Sequence, residues 1–162
     1  GDLAEDSSLN ARRVVLERMG LYAARSYIAM RGMPAHPDEL EQHDLLCLLS
    51  RSGGALPWVL TSGKTRWEKP LAARMTANSP DLLARMAFAG AGIAASSDLF
   101  AGQYEERGEL VRVLPDWSLP VATGWAVFPG RRLMPAKTRA FLDLMEETCC
   151  EEAQKRSNAA VG

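Results

Sequence analysis

One stretch limits the folds open to this chain more than any other: 76-TANSPDLLARMAFAGAGIAASSDLF-100. Ser79 is a favourable helix N-cap, because its hydroxyl can accept from a backbone N–H left free in the first turn. Pro80 suits the first helical position, where its missing N–H is not needed. Leu82, Leu83, Met86 and Ala87 follow at helical spacing on one apolar face. Gly90 can take the left-handed backbone that ends such a helix. Then 92-GIAAS-96 reads as a short strand of small residues, and Asp98 opens a brief helix to about Gln103. A helix that turns straight into a buried type of strand, with polar residues at its mouth and at the strand's far end, is a building block of α/β folds.

The flanking sequence extends this pattern. The segment 12-RRVVLERMGLYAA-24 reads as strands broken near Gly20, and 26-SYIAMRG-32 as a short helix capped by Ser26 and stopped by Gly32. A single helical turn is expected over Pro37–Leu40, then a buried strand in 45-LLCLLS-50 and turns in 51-RSGGALP-57. Strand-like 58-WVLTS-62 leads through a Gly63-Lys64 turn to 66-RWEKPLAARMT-76, read as one strand whose Pro70 suits a sheet edge. Further strands are expected in 110-LVRVL-114 and 119-LPVATGWAVFP-129, followed by a long helix, 136-AKTRAFLDLMEETCCEEAQKR-156. Its apolar stripe would be Phe141, Leu142, Met145 and Cys149, and the tail 157-SNAAVG-162 is expected to fray. Strands and helices alternate throughout, so the class is α/β.

Composition and motifs exclude several functions. Hydrophobic residues make up 47% and charged residues 24%, with a formal net charge of -1, which lacks the basic excess of non-specific nucleic-acid binders. No apolar run reaches the roughly 18 residues of a membrane span, and no secretory signal is visible. The three cysteines, Cys47, Cys149 and Cys150, are odd in number and two are adjacent, which fits reduced thiols and a cytoplasmic setting. His36 and His43 are seven residues apart, not at the helical spacing of a zinc pair, so no metal is expected. The glycines of 90-GAGIAA-95 look like a dinucleotide loop, but they follow a helix and precede a strand, the reverse of the order that loop needs. The acidic pairs Glu105-Glu106, Glu146-Glu147 and Glu151-Glu152 read as solvated faces. Arg12-Arg13 and Arg131-Arg132 could meet an anion or simply face water. No nucleophile elbow or phosphate-binding loop occurs, so an enzyme is not expected, nor any cofactor.

The order of these elements resembles the effector-binding domain of LysR-type transcriptional regulators. The segment 2-DLAEDSSLNARRV-14 is similar to the family's G-x-L-x-D-S-S-L-V-A-R-R-L, and 21-LYAARSYIAMRGMPAHPDEL-40 to its L-x-A-S-P-A-Y-L-x-x-x-G-x-P-x-x-P-x-D-L. Trp58 stands where the family usually has a tryptophan on a strand. The stretch from Asn78 to Ser97 is similar to N-x-x-x-x-x-x-x-A-A-x-A-G-x-G-I-A-x-L-P. Finally, 110-LVRVLPDW-117 and 126-AVFPGRRLMPAKTRAFLDLMEE-147 resemble L-V-x-V-L and Y-P-x-R-R-x-L-S-P-x-V-R-A-F-I-D-F-L. The matches run in order from residue 1 to about 148.

The resemblance implies a fold like a type 2 periplasmic binding protein, with two α/β lobes and crossover strands, the first lobe incomplete. Residues 1–148 would form a partial effector-binding domain, with the second lobe at about 26–100 and crossovers at about 15–24 and 119–128. Residues 149–162 would be the helix end and tail. It further implies a ligand sensor that binds a small organic effector, such as a carboxylate, between the lobes. Asn78 and Ser79 at the helix mouth, Ser96 at the strand end, Thr123 on the second crossover and Arg25 are its candidate contacts. Capping alone would equally explain Ser79, and backbone hydrogen bonding would explain Ser96 and Thr123. The family's Ser-Pro after the first crossover is Ala24-Arg25 here, and its Leu-Pro after the short strand is Ser96-Ser97. Elements that open the first lobe, and the helix-turn-helix domain through which such regulators contact DNA, have no counterpart in this sequence. Uncovered sheet edges would then favour a homo-oligomer. The alternatives are a dimerisation module without effector binding and a solute-binding protein.

Overall fold

The computed structural model of the chain describes residues 9–129 and 135–159. In chain order the elements are β1 (Leu9–Glu17), β2 (Met19–Ala24), α1 (Arg25–Arg31), a 3-10 helix (Pro37–Gln42), β3 (Leu45–Leu48), β4 (Val59–Ser62), β5 (Thr65–Glu68) and β6 (Ala73–Ala77). They continue with α2 (Pro80–Phe88), β7 (Ile93–Ser97), α3 (Asp98–Glu106), β8 (Leu110–Val113), β9 (Ala122–Pro129) and α4 (Ala136–Ala159). The chain divides into two units, Arg18–Pro120 and a second made of Gly1–Glu17 with Val121–Gly162.

The Arg18–Pro120 unit is built on a five-stranded sheet of order β6-β3-β7-β2-β8. Strand β3 runs parallel to both β6 and β7, whereas β2 lies antiparallel to both β7 and β8. One face of the sheet carries Leu21, Ala23, Leu45, Cys47, Ile93 and Val113, packed against Tyr27 of α1, Leu40 of the 3-10 helix and the β4–β5 hairpin. The hairpin contributes Leu60, Trp67 and the preceding Trp58, all buried. Each such indole removes roughly 150–250 Å² from water, about 4–6 kcal/mol of transfer free energy before conformational entropy is subtracted. Trp67 also donates its ring N–H to Asp38 Oδ1 at 2.8 Å, tying the hairpin to the 3-10 helix. On the opposite face, Leu46 and Ala94 meet Leu83 and Ala87 of α2, while Tyr22 and Leu110 meet Ala101 of α3.

Two close approaches hold the β3–β7 junction. Ile93 N–H donates to the Asp44 carbonyl at 2.9 Å, immediately before the strands pair. At Gly92 (φ +154°) an added Cβ would come within 2.1 Å of that same carbonyl oxygen. Only glycine fits there. Beside it, Asp44 N–H donates to the Tyr27 hydroxyl at 2.8 Å, and Tyr27 Oη lies 3.2 Å from His43 Nδ1. A neutral imidazole unprotonated at Nδ1 can accept the phenolic proton there. Burial, then the nearby Arg31 guanidinium, push the His43 pKa below its ordinary value, against the opposing carboxylates of Asp44 and Glu39.

The other unit contains the antiparallel β1–β9 pair, with a bulge between Arg13 and Val15. Gly124 sits where an added Cβ would come 2.9 Å from Val15 Cβ. Val14 and Leu142 of α4 are buried, and Arg12 Nη2 pairs with Asp143 Oδ1 at 2.7 Å. Leu16, Trp125 and Val127 are exposed.

Several local expectations need correcting. The break between the first strands falls at Arg18, because Gly20 lies inside β2 opposite Ser96. Helix α1 begins at Arg25 with Ala24 at the N-cap and no side-chain cap, so Ser26 does not cap it, although Gly32 (φ 83°) ends it as expected. Residues 66–76 form two strands, not one, because Pro70 falls in the connection and only β6 beyond it joins the large sheet. Leu82 is 47% exposed, and the buried residues of α2 are Leu83, Ala84 and Ala87. On α4, Leu142 is buried but Phe141 is 59% exposed, and the Cys149 side chain lies outside the described residues. Arg131 and Arg132 also lie outside them. The odd case is Leu114, a buried leucine with φ 52°. The proline after it disfavours the right-handed helical region, and its core contacts offset the left-handed backbone.

Gly92→Ala is expected to lower stability by about 3 kcal/mol or more in urea denaturation, since backbone strain and overpacking add. Gly54→Ala, where nothing lies within 4 Å, should stay within about 0.5 kcal/mol. Because the native His43 pKa is lowered, the unfolded chain takes up the proton first. Its stabilising contribution is complete above about pH 6.5 and fades as pH falls below that value. The melting temperature should therefore drop between pH 7 and pH 5.5, and His43→Gln should flatten that segment of the curve.

Candidate functional site

Parallel strands β3, β6 and β7 all run toward one edge of the sheet, so Leu48, Ala77 and Ser97 end there together. Ligands of open α/β sheets bind outside the carboxyl ends of such strands. The antiparallel β2 starts at the same edge, with Met19 opposite Ser97 and Gly20 opposite Ser96. Asn78 and Ser79 follow β6, while Ser96 closes β7. Strand β3 lies between these two, a separation of roughly 10 Å by strand spacing.

At the α2 mouth, Ser79 Oγ accepts from Leu82 N–H at 3.3 Å and the Ser79 carbonyl accepts from Leu83 N–H at 3.3 Å. Ser79 is thus the helix cap. Asn78 is exposed, and its side chain makes no hydrogen bond among the described residues. Asp81 in the first turn pairs with Arg85 at 2.8 Å. Apolar groups share this edge: Leu49, whose N–H donates to the Ala77 carbonyl at 2.9 Å, and Leu82 are both exposed.

Ser96 differs from its neighbours. It is 8% exposed, the one buried polar residue among those described, and its hydroxyl makes no hydrogen bond within them. No fully buried side-chain oxygen or nitrogen there lacks a partner, so the Ser96 oxygen keeps an opening to solvent. It shares the sheet face of Ala94, on which α2 and α3 pack. Ser97 caps α3, accepting from Phe100 N–H at 3.1 Å.

A polar cluster that sequence reasoning did not anticipate adjoins Ser96. Arg112 Nη1 donates to Asp98 Oδ1 at 2.7 Å and to Tyr22 Oη at 3.0 Å, and Tyr22 donates to Asp98 Oδ1 at 2.9 Å. Its guanidinium lies over Gly20, where an added Cβ would come 2.8 Å from Cζ. Burial, then the Asp98 carboxylate against the opposing Arg112, raise the Tyr22 pKa far above its ordinary value, so the phenol stays protonated. Burial opposes the Arg112 charge, yet Tyr22 and Asp98 outweigh it and the pKa rises. The signal available in the sequence was an arginine inside the apolar alternation of 110-LVRVL-114.

The remaining candidates lie elsewhere. Arg25 follows the far end of β2, about 16 Å along the strand from Gly20, and donates through Nε to the Gly108 carbonyl at 2.8 Å. The structure does not bring it to Ser96. Thr123 is exposed on β9, opposite Leu16, in the other unit. Cys47 is buried, which pushes its thiol up to about 11, and no group of residues able to hold a metal occurs among those described.

Residues 1–150 match the family model of the LysR substrate binding domain. An HTH-type transcriptional regulator of Xanthomonas campestris pv. campestris is 36% identical over 143 residues, covering 86% of this chain and 42% of its own length. An HTH-type transcriptional repressor of Pseudomonas aeruginosa is 30% identical over 95% of this chain and 49% of its own. The chain therefore spans about half or less of the length of these relatives. Among solved structures, the regulatory domain of AphB from Vibrio vulnificus is similar with a TM-score of 0.71 and 29% identity, over 88% of this chain and 70% of that one. The regulatory domain of CrgA, a LysR-type transcriptional regulator from Neisseria meningitidis, is similar with a TM-score of 0.74 and 25% identity, over 89% and 71%. With the family model covering nearly its whole length, and regulatory domains of that fold superposing on it, the chain belongs to the LysR substrate-binding domain family.

Proposed function

We propose that this chain is a ligand sensor: it binds a small organic effector, a carboxylate by class, at the carboxyl edge of the five-stranded sheet. The observation that carries this reading is Ser96, a buried hydroxyl without an internal partner that stays open to solvent at that edge. Buried polar groups are otherwise satisfied, and one open at a strand end beside the α3 N-terminus suits a bound anion. Leu49 and Leu82 would cover the hydrocarbon part of such a molecule. Asn78 is a further contact at the helix mouth, whereas Arg25 and Thr123 receive no support from the Arg18–Pro120 unit.

The response would be transmitted by differential affinity of the effector for two states of an oligomeric regulator. DNA contact belongs to a helix-turn-helix domain outside these residues. The setting is cytoplasmic, where Cys47 stays reduced. No helix among the described residues is long and apolar enough to cross a membrane. A dimerisation role without effector binding is the second reading, favoured by the exposed Leu16, Trp125 and Val127.

Thermal-shift screening with aromatic and aliphatic carboxylates tests the sensor reading, with a saturable rise in melting temperature as the expected result. Ser96→Ala should leave the unliganded melting temperature nearly unchanged yet weaken the responding carboxylate about tenfold or more, the worth of a hydrogen bond to a charged group. Ser79→Ala should do the reverse, costing about 1 kcal/mol of stability through the lost cap. No shift across the panel, with a firm oligomer by sedimentation, would establish the second reading instead.

A further inference from the structure

We propose that Arg112 supplies the cation of the effector site, and that Tyr22 and Asp98 hold its guanidinium so that one edge stays open for a carboxylate. This rests on the sensor reading above and adds to it a recognition residue. The placement follows from register. Across β2–β7 Gly20 faces Ser96, and across β2–β8 Tyr22 faces Arg112. Side chains two apart on a strand share a face, so Gly20, Tyr22, Ser96 and Arg112 all lie on the α2–α3 side of the sheet. The Arg112 guanidinium rests on the bare Cα of Gly20, since a Cβ there would come 2.8 Å from Cζ and 3.0 Å from each terminal nitrogen. It is thereby laid flat beside the residue that pairs with Ser96.

The use of its five donors is uneven. Nη1 alone serves both Asp98 Oδ1, at 2.7 Å, and Tyr22 Oη, at 3.0 Å. Among the described residues Nε and Nη2 make no hydrogen bond. That leaves the Nε–Nη2 fork, the edge that matches a carboxylate with two parallel N–H···O bonds. The side chain as a whole is 22% exposed, so the guanidinium is only partly covered. Ser96, nine-tenths buried and without a partner, provides a hydroxyl on the same face. Lysine could not replace Arg112, because a point charge cannot make the paired contact.

The test uses acetate, the smallest carboxylate apart from formate and small enough that shape does not exclude it, with acetamide as its neutral counterpart. In the wild-type chain the Arg112 Nε–H resonance should shift saturably with acetate and not with acetamide, and Ser96→Ala should weaken that response several-fold. Arg112→Lys, checked for folding by its melting curve, should lose at least tenfold in affinity for any carboxylate that stabilises the wild type. If such a carboxylate stabilises Arg112→Lys as strongly as the wild type, the role of Arg112 is overturned while the sensor reading stands. Absence of any saturable Arg112 Nε–H shift with acetate overturns the Arg112 assignment as well. Failure of the sensor reading shows separately, as a panel of carboxylates that leaves the wild-type melting temperature unmoved.

Discussion

The contact between the Asp44 carbonyl and the turn at Gly92 governs the Arg18–Pro120 unit. The hydrogen bond from Ile93 N–H to Asp44 sets β7 beside β3 in parallel register, and only a residue without Cβ can approach that carbonyl so closely. Register decides everything downstream, because a slip of one residue would send every side chain of β7 to the other face. With this register Ile93 enters the main core, Ala94 packs under α2, and Ser96 arrives at the carboxyl edge with its hydroxyl on the helical side. The polar shell around Asp44, from Tyr27, His43 and Arg74, keeps that turn in place.

Strand β2 then determines the electrostatics of the edge. Inserted antiparallel between β7 and β8, it brings Tyr22 opposite Arg112 and leaves room for the guanidinium only because Gly20 carries no side chain. The arginine stays charged in a half-buried setting because Asp98, at the start of α3, and the Tyr22 hydroxyl both accept from it. One cation is thus fixed against the strand whose neighbour ends in a serine that makes no side-chain hydrogen bond among the described residues. Both belong to the same rigid sheet, so their geometry does not depend on a loop.

Much of this was readable from local patterns, and the failures have specific causes. Ser79, Pro80, Gly90 and the Gly63 turn behaved as their backbone chemistry requires, since caps and left-handed turns are decided within a few residues. Gly20 misled because a glycine in a strand looks like a breaker unless the side chain passing over it is known. Pro70 separated two strands that the apolar pattern joined, because β5 and β6 belong to different sheets. Phe141 and Leu82 sit at helical spacing with buried neighbours yet remain exposed, since periodicity defines a face more broadly than packing does. Arg25 follows the end of β2 away from Gly20 and Ser96, a placement that only the antiparallel pairing of β2 with β7 defines.

The sequence alone determined the α/β class, the helix–glycine–strand unit from Ser79 to Ser97, and the family resemblance, because each depends on short-range backbone preferences or on ordered motifs. Tertiary structure decided which polar residues meet. Tyr22, Ser96, Asp98 and Arg112 are spread over ninety residues, counting from Tyr22 to Arg112, and no local rule relates them. They converge because β2 crosses between β7 and β8 in one register, and register is set by the burial of whole strands rather than by any residue near the site.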